Sequence, residues 1–347
     1  MSARSGRHAS TGEAELERII DQDVPLPVEG HLPSLEGAST WLNSAPLTPA
    51  GLRGRVVAVD FCTYTCINWL RSLPYVRAWA ERYTDQGLVT IGVHTPEFSF
   101  ERDVENVRRA LADMGVEHPV ALDNDYEVWD AFANRYWPAL YLVDAKGRIR
   151  HHRFGEGDYE RSERVIQQLL AEAGAGDVDR NVLSVNGVGP EAAADWDDLE
   201  SAETYVGYEQ EQGFASPGGT VPEHARVYAV PERLGPNEWA LSGAWTMNAE
   251  NIVSNEPNAR VALRFHARDV HLVMGRVRDR DIVPFRVFLD GEPPGDAAGS
   301  DVDAAGRGSL DEPRMYQLIR QRGSIGSRVF EIAFEEREAQ AFAFTFG

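Results

Sequence analysis

The sequence predicts two domains in series, a layered α/β domain followed by an all-β sandwich. Three observations predict it. Strand-like apolar runs alternate with helix-period segments from Val56 to Ala173, in the order β-α-β-α-β-β-α. Gly174-Ala175-Gly176 ends that pattern with a loop-rich stretch. Beyond it, short apolar runs are broken by Gly, Pro and Asn, and no long helical period returns. The expected boundaries are a flexible leader over 1–30, the α/β domain over 31–175, a linker over 176–194 and the sandwich over 195–347.

Trp41-Leu42-Asn43 and Leu47-Thr48-Pro49 read as short elements before the first long strand, Val56–Phe61. A helix is expected over Cys66–Tyr83, with Pro74 kinking it, and a strand over Leu88–His94. Val104, Val107, Leu111 and Met114 fall at helical spacing and predict a helix over Phe100–Met114. His118–Leu122 reads as a short strand and Tyr126–Asn134 as a helix. Ala139–Asp144 and Arg148–Phe154 flank the turn Ala145-Lys146-Gly147 and predict a hairpin. Tyr159–Ala173 closes the domain as an amphipathic helix. In the second half, strands are expected at Arg260–Phe265, Val270–Val273, Phe285–Leu289, Met315–Ile319, Val329–Phe334 and Ala341–Phe346, with a tight turn at Asp290-Gly291.

The composition narrows the function classes. A chain of 347 residues with 43% hydrophobic residues can build two ordinary cores. Its net charge of −21 disfavours nucleic acid and anionic lipid as partners. No apolar run reaches the roughly 18 residues of a membrane span. The first twenty residues lack the apolar centre of a secretory signal, so a cytoplasmic setting is expected. Two cysteines make no disulfide scaffold and suit a reducing compartment. Neither a phosphate-binding loop nor a dinucleotide fingerprint is present, and His151-His152 has no Cys/His cluster around it, so no cofactor and no metal are expected.

The chemistry concentrates at Cys66. A buried strand, a short loop and a cysteine at a helix start present a thiol to solvent. Thr65 is the expected N-cap, and Cys66 the first helical residue, near the positive end of the helix dipole. A thiolate is stabilised there, so its pKa is expected below the free value of about 8.5. The bland alternative is an inert cysteine at the end of a core helix. Trp137-Pro138 directly precedes a strand, where a cis proline would bring a backbone edge to the thiol and to an extended substrate; a trans proline at a strand start is the alternative. Glu97 follows the strand Leu88–Val93 on the side where open α/β sheets carry their sites, as a proton carrier for Cys66 or as a solvated loop acid. His94 is read as packing.

These residues resemble a known family. Cys66 at a helix start, Pro74 eight positions on, and Trp137-Pro138 before a strand are similar to the thioredoxin fold. The insert from Thr95 to Asp125 resembles the TlpA/ResA and peroxiredoxin-like branch of these redoxins. Val59–Asn68, Gly92–Phe98, Asn134–Ala139 and Phe154–Tyr159 resemble the soluble C-terminal region of DipZ-type proteins. Glu203-Thr204-Tyr205, Gly207-Tyr208 and the ending Phe342–Gly347 extend the likeness into an attached jelly-roll sandwich, similar to a carbohydrate-binding module. The resemblance implies a thioredoxin-like domain with Cys66 as the attacking cysteine.

Two positions depart from that pattern. Trp69 stands where the second Cys-x-x-Cys thiol belongs, and Cys62 stands where the family has Trp. Trp69 is read as packing that shields Cys66, or as an apolar wall for substrate. Cys62 could bridge to Cys66 only if the loop bends, since four extended residues span about 13 Å and a disulfide needs Cα atoms within roughly 4.4–6.8 Å. Otherwise Cys62 is a small core residue. A mixed disulfide on Cys66 then needs an outside thiol to release it.

Three functions compete. The first is thiol–disulfide exchange by Cys66, with a disulfide or thiol substrate and an external reductant. The second is one-cysteine peroxide reduction, favoured by Thr63 three residues before Cys66 and disfavoured by Val59 in place of proline. The third is a thioredoxin fold kept as an inactive binding module, joined to a sandwich that holds a glycan or a protein. Trp239 and Trp245 are stacking candidates for a sugar, against a reading as sandwich core. Asp301 and Asp303 are calcium candidates, against plain solvation.

Overall fold

The computed structural model describes residues 25–176, 178–277 and 282–347. Most of the leader expected over 1–30 therefore lies outside the described residues. The chain forms two compact units, and they interleave in sequence. The first runs to Thr63 and takes in Ser72–Thr95 and Val116–Val185. The second comprises Tyr64–Arg71, Pro96–Gly115 and Asn186–Gly347.

The first unit is built on a sheet of seven strands: β1 (Gly30–His31), β2 (Thr40–Leu42), β3 (Val56–Cys62), β4 (Leu88–His94), β5 (Val120–Leu122), β6 (Ala139–Val143) and β7 (Arg148–Phe154). Their order is β1-β7-β6-β3-β4-β5-β2. The pairs β3/β4 and β4/β5 are parallel, and the rest are antiparallel. All seven residues of β3 are buried, which explains an apolar run interrupted only by Asp60. One face of β3 carries Val57, Val59 and Phe61, packed with Val128, Trp129 and Phe132. The other carries Val56 and Ala58, packed against two helices through Val76, Trp79, Ile166 and Leu169.

Four α-helices are described: α1 (Ile67–Tyr83), α2 (Val104–Asp113), α3 (Glu127–Ala131) and α4 (Tyr159–Glu172). The helix expected over Phe100–Met114 is split. Ser99–Arg102 forms a 3-10 turn, and α2 starts afresh because the Asp103 carboxylate accepts from the N–H groups of Glu105 and Asn106. The hairpin β6–β7 closes as expected: Asp144 accepts from the N–H groups of Lys146 and Arg148, and Gly147 takes φ 77°.

Among the described residues the second unit contains eleven strands: β8 (Thr204–Tyr205), β9 (Ala225–Tyr228), β10 (Trp239–Met247), β11 (Ile252–Ser254), β12 (Ala259–His266), β13 (Asp269–Arg276), β14 (Val283–Leu289), β15 (Arg307–Leu310), β16 (Arg314–Arg320), β17 (Ser327–Phe334) and β18 (Ala339–Phe346). Their pairings are all antiparallel. They make the two faces of a sandwich, and β10 serves both. Its Trp239–Ser242 half pairs with β12, while Gly243–Met247 pairs with β9 and β11. Gly243 sits at the switch with φ 91°, a conformation that costs a glycine little.

Tyr64–Arg71 and Pro96–Gly115 group with this unit through specific contacts. The Tyr64 hydroxyl donates to Pro313 O at 3.1 Å, and Arg71 donates to Phe346 O at 2.6 Å. Residues 273 and 274 of β13 face residues 343 and 341 of β18, so Phe342 is the extra residue of a β-bulge. The bulge breaks the two-residue alternation and turns the Phe342 ring to Phe98 and Phe100, at centroid distances of 5.2 and 4.8 Å. The fold is thus an α/β thioredoxin-like domain followed by a β-sandwich.

Candidate active site

Helix α1 begins at Ile67, and Cys66 stands just before it, its carbonyl accepting from Leu70 N–H at 3.0 Å. The start expected at Cys66 moves by one residue. Thr65 is not the cap: its hydroxyl donates to Oε1 of Glu101 at 2.6 Å. The cysteine sulfur instead faces the backbone N–H groups of Trp69 and Asn68.

Cys66 is half-buried, and its thiol is pushed well above the ordinary range, first by burial, then by Glu97. Glu203 adds to the shift, and the two N–H groups oppose it without prevailing. The lowered pKa expected from the helix start is therefore corrected. Two N–H dipoles cannot offset lost hydration together with neighbouring carboxylates.

Glu97 is part-buried and is no solvated loop acid. Its carboxyl is pushed up to about 8, by burial first and then by Glu203 and Glu101. The Tyr205 hydroxyl donates to its Oε1, which acts the other way. The Glu203 carboxyl too is raised, by lost hydration. Burial and the Glu97 charge keep the Tyr205 phenol from ionising. Glu101 is 0% exposed, and its Oε2 accepts from the N–H groups of Glu97 at 2.6 Å and Phe98 at 2.9 Å. Thiol, three carboxyl groups and a phenol thus form one cluster inside the second unit.

The remaining candidates are placed as follows. Cys62 is 1% exposed at the end of β3, and Cys62 and Cys66 form no disulfide with each other. Trp69 is 1% exposed, which makes it packing and excludes an open wall for substrate. Thr63 is fully buried, with Oγ1 lacking a hydrogen-bond partner. The Trp137–Pro138 peptide bond is cis, Pro138 O accepts from Gly155 N–H at 2.8 Å, and the Trp137 ring lies 4.4 Å from that of Trp129. His94 is fully buried and pushed down to about 3 by burial, in keeping with a packing role.

Sequence reasoning missed Glu101, Glu203, Tyr205 and Asp60. Asp60 is 2% exposed on the β3 face that packs against helices, and with Ser72, Trp79, Pro138 and Tyr159 it lines a small pocket of the first unit. A lone acid inside an apolar strand was the available signal. Glu203 and Tyr205 stood in a quoted motif, but nothing local ties them to a thiol.

In the sandwich, Trp239 and Trp245 are fully buried core, with indole N–H groups donating to Gln212 O and Ser242 O. Neither has a face free to stack on a sugar. Asp301 pairs with Arg314 at 2.8 Å and accepts from Gln317 N–H, while Asp303 pairs with Arg307 at 3.0 Å. Among the described residues, no group of three His, Cys, Asp or Glu side chains is placed to hold a metal ion. No described helix is long and apolar enough to cross a membrane.

Residues 201–347 match the family model described as a thioredoxin-like C-terminal domain. Protein DipZ of Mycobacterium tuberculosis is 35% identical over 342 residues, covering 96% of this chain; the chain spans 45% of DipZ. The thiol-disulfide oxidoreductase YkuV of Bacillus subtilis is 28% identical over 141 residues, 41% of this chain and 95% of YkuV. The thiol-disulfide oxidoreductase ResA of the same organism is 24% identical over 107 residues, 31% of this chain and 57% of ResA. Residues 201–347 thus carry the likeness to a thioredoxin-like C-terminal domain, and the likeness to DipZ runs along most of this chain.

Proposed function

We propose that the protein performs thiol–disulfide exchange with Cys66 as its single nucleophile. Cys66 sulfur attacks one sulfur of a substrate disulfide. The Cys66–substrate S–S bond forms, the substrate S–S bond breaks, and the second sulfur leaves as a thiol. Glu97 takes the proton from Cys66 and returns one to the leaving sulfur. An external thiol then attacks the mixed disulfide, frees Cys66 and departs joined to the first substrate sulfur. A reducing, cytoplasmic setting belongs to the same proposal, because it supplies the external thiol.

One observation carries this reading: a half-buried thiol beside a carboxyl whose pKa is about 8. A proton carrier works best with a pKa near the working pH. A second reading, a thioredoxin fold kept only for binding, is favoured by the same thiol's resistance to ionisation. Incubation with a small disulfide between pH 7 and 9, followed by mass spectrometry, separates the two. Exchange gives an adduct on Cys66 that added thiol releases and that Cys66→Ser abolishes. No adduct across that range leaves the binding reading.

A further inference from the structure

We infer that Glu101 is a positioning residue for this chemistry, holding Glu97 in register with Cys66. The inference rests on Cys66 as the attacking thiol. Thr65, next to Cys66, donates its hydroxyl to Oε1 of Glu101 at 2.6 Å. The backbone N–H groups of Glu97 and Phe98 donate to Oε2 at 2.6 and 2.9 Å. One carboxylate therefore joins the turn before α1 to the turn after β4. Glu101 is fully buried, and hydrogen bonds to a buried charge are strong and directional. The Glu97 backbone is fixed from this side, and its carboxyl by Tyr205 from the other. A shift of Thr65 or of the Glu97 backbone breaks one of these hydrogen bonds to a buried carboxylate.

The groups facing Glu97 are Cys66 before α1, Glu101 in its own turn, and Tyr205 and Glu203 from the β8 region. Those facing Cys66 are Glu97, Glu203 and Tyr205. Glu97 is thus the one of these that Glu101 both contacts and orients toward the thiol. Its ionisation near pH 8 marks the thiol's reactivity, and that mark reports whether the register is kept.

The test is the pH profile of Cys66 alkylation by iodoacetamide in the full chain, read by peptide mapping so that Cys62 does not contribute. The wild-type profile carries an inflection near pH 8 that Glu97→Gln removes. Glu101→Ala removes the same inflection, and the double variant Glu97→Gln/Glu101→Ala matches either single one. Glu101→Gln keeps an inflection, moved below pH 8 because the charge that helps raise Glu97 is gone: its amide oxygen accepts from the two N–H groups, and its NH2 donates to a Thr65 hydroxyl that turns round to accept. If Glu101→Ala does not fold, Thr65→Val cuts the tie and leaves the carboxylate in place, and it too must lose the inflection. A folded Glu101→Ala or Thr65→Val with the wild-type profile overturns the inference, as does an additive double variant or a wild-type profile without the inflection. Because alkylation reads the thiol itself, absence of disulfide exchange ends the exchange reading alone.

Discussion

The Tyr205 hydroxyl donates a hydrogen bond to Oε1 of Glu97, a carboxyl 108 residues earlier in the chain. This bond favours the ionised carboxylate, while burial and two neighbouring glutamates favour the protonated acid. Tyr205→Phe is expected to move Glu97 further above 8 and to cost about 1 kcal/mol of stability. The alkylation profile of Cys66 and urea unfolding check the two effects. An unmoved Glu97 inflection would show that the bond is not formed in solution.

Glu97→Gln separates electrostatics from proton transfer. Above pH 8 the Glu97 charge raises the Cys66 thiol, so its removal should lower the thiol's pKa and speed simple alkylation. Exchange with a disulfide should slow by about 10²-fold, because the proton carrier is gone. Equal acceleration of both reactions would reduce Glu97 to an electrostatic bystander.

The raised Glu97 pKa also links stability to pH. The unfolded carboxyl ionises near 4.5, and the folded one near 8. The folded state therefore holds the proton more tightly. Its contribution is fully present below the unfolded value and is lost as pH rises through the folded one. Thermal unfolding of the wild type relative to Glu97→Gln should favour the wild type most at the acid end and decline between pH 4.5 and 8. A difference that does not vary with pH over that window would exclude a raised Glu97.

Two residues after Tyr205, Gly207 is crowded by backbone. A Cβ there would lie 2.4 Å from Ala249 O and 2.3 Å from the carbonyl carbon of Glu250. Neither atom can swing aside as a side chain would. Gly207→Ala is expected to destabilise the protein by roughly 1–3 kcal/mol. Denaturant unfolding at unchanged slope checks it, and a neutral result would mean that the two segments move apart freely.

Trp69→Cys restores the Cys-x-x-Cys spacing but not a simple dithiol. Trp69 is 1% exposed, so its removal opens a cavity and costs about 3–5 kcal/mol. The melting temperature should fall sharply before any gain in redox activity is seen. A variant as stable as the wild type would mean that the site collapses around the smaller residue.

Legibility in the sequence followed the range of the interactions. The order of elements in the first unit was readable because β3, α1 and α4 each carry their own apolar period. Six strands after residue 250 were readable in the same way, while β8, β9, β10, β11 and β15 were missed. Gly243 bends β10 between two partners, and the bend breaks its alternation. Asp103 cut a helix that periodicity alone ran together, because capping acts on the backbone and not on the apolar pattern.

At the site, the position of Cys66 before a helix was written in the local sequence. Its ionisation was not. The sign of the thiol's shift is set first by burial and then reinforced by Glu97 and Glu203, brought to it from 31 and 137 residues downstream in the numbering. Local order determines which backbone groups face a sulfur, since a helix start is settled by its own few residues. Only the tertiary fold decides how much water and how many carboxylates surround that sulfur, because charge and desolvation act through space between segments that no short-range pattern relates.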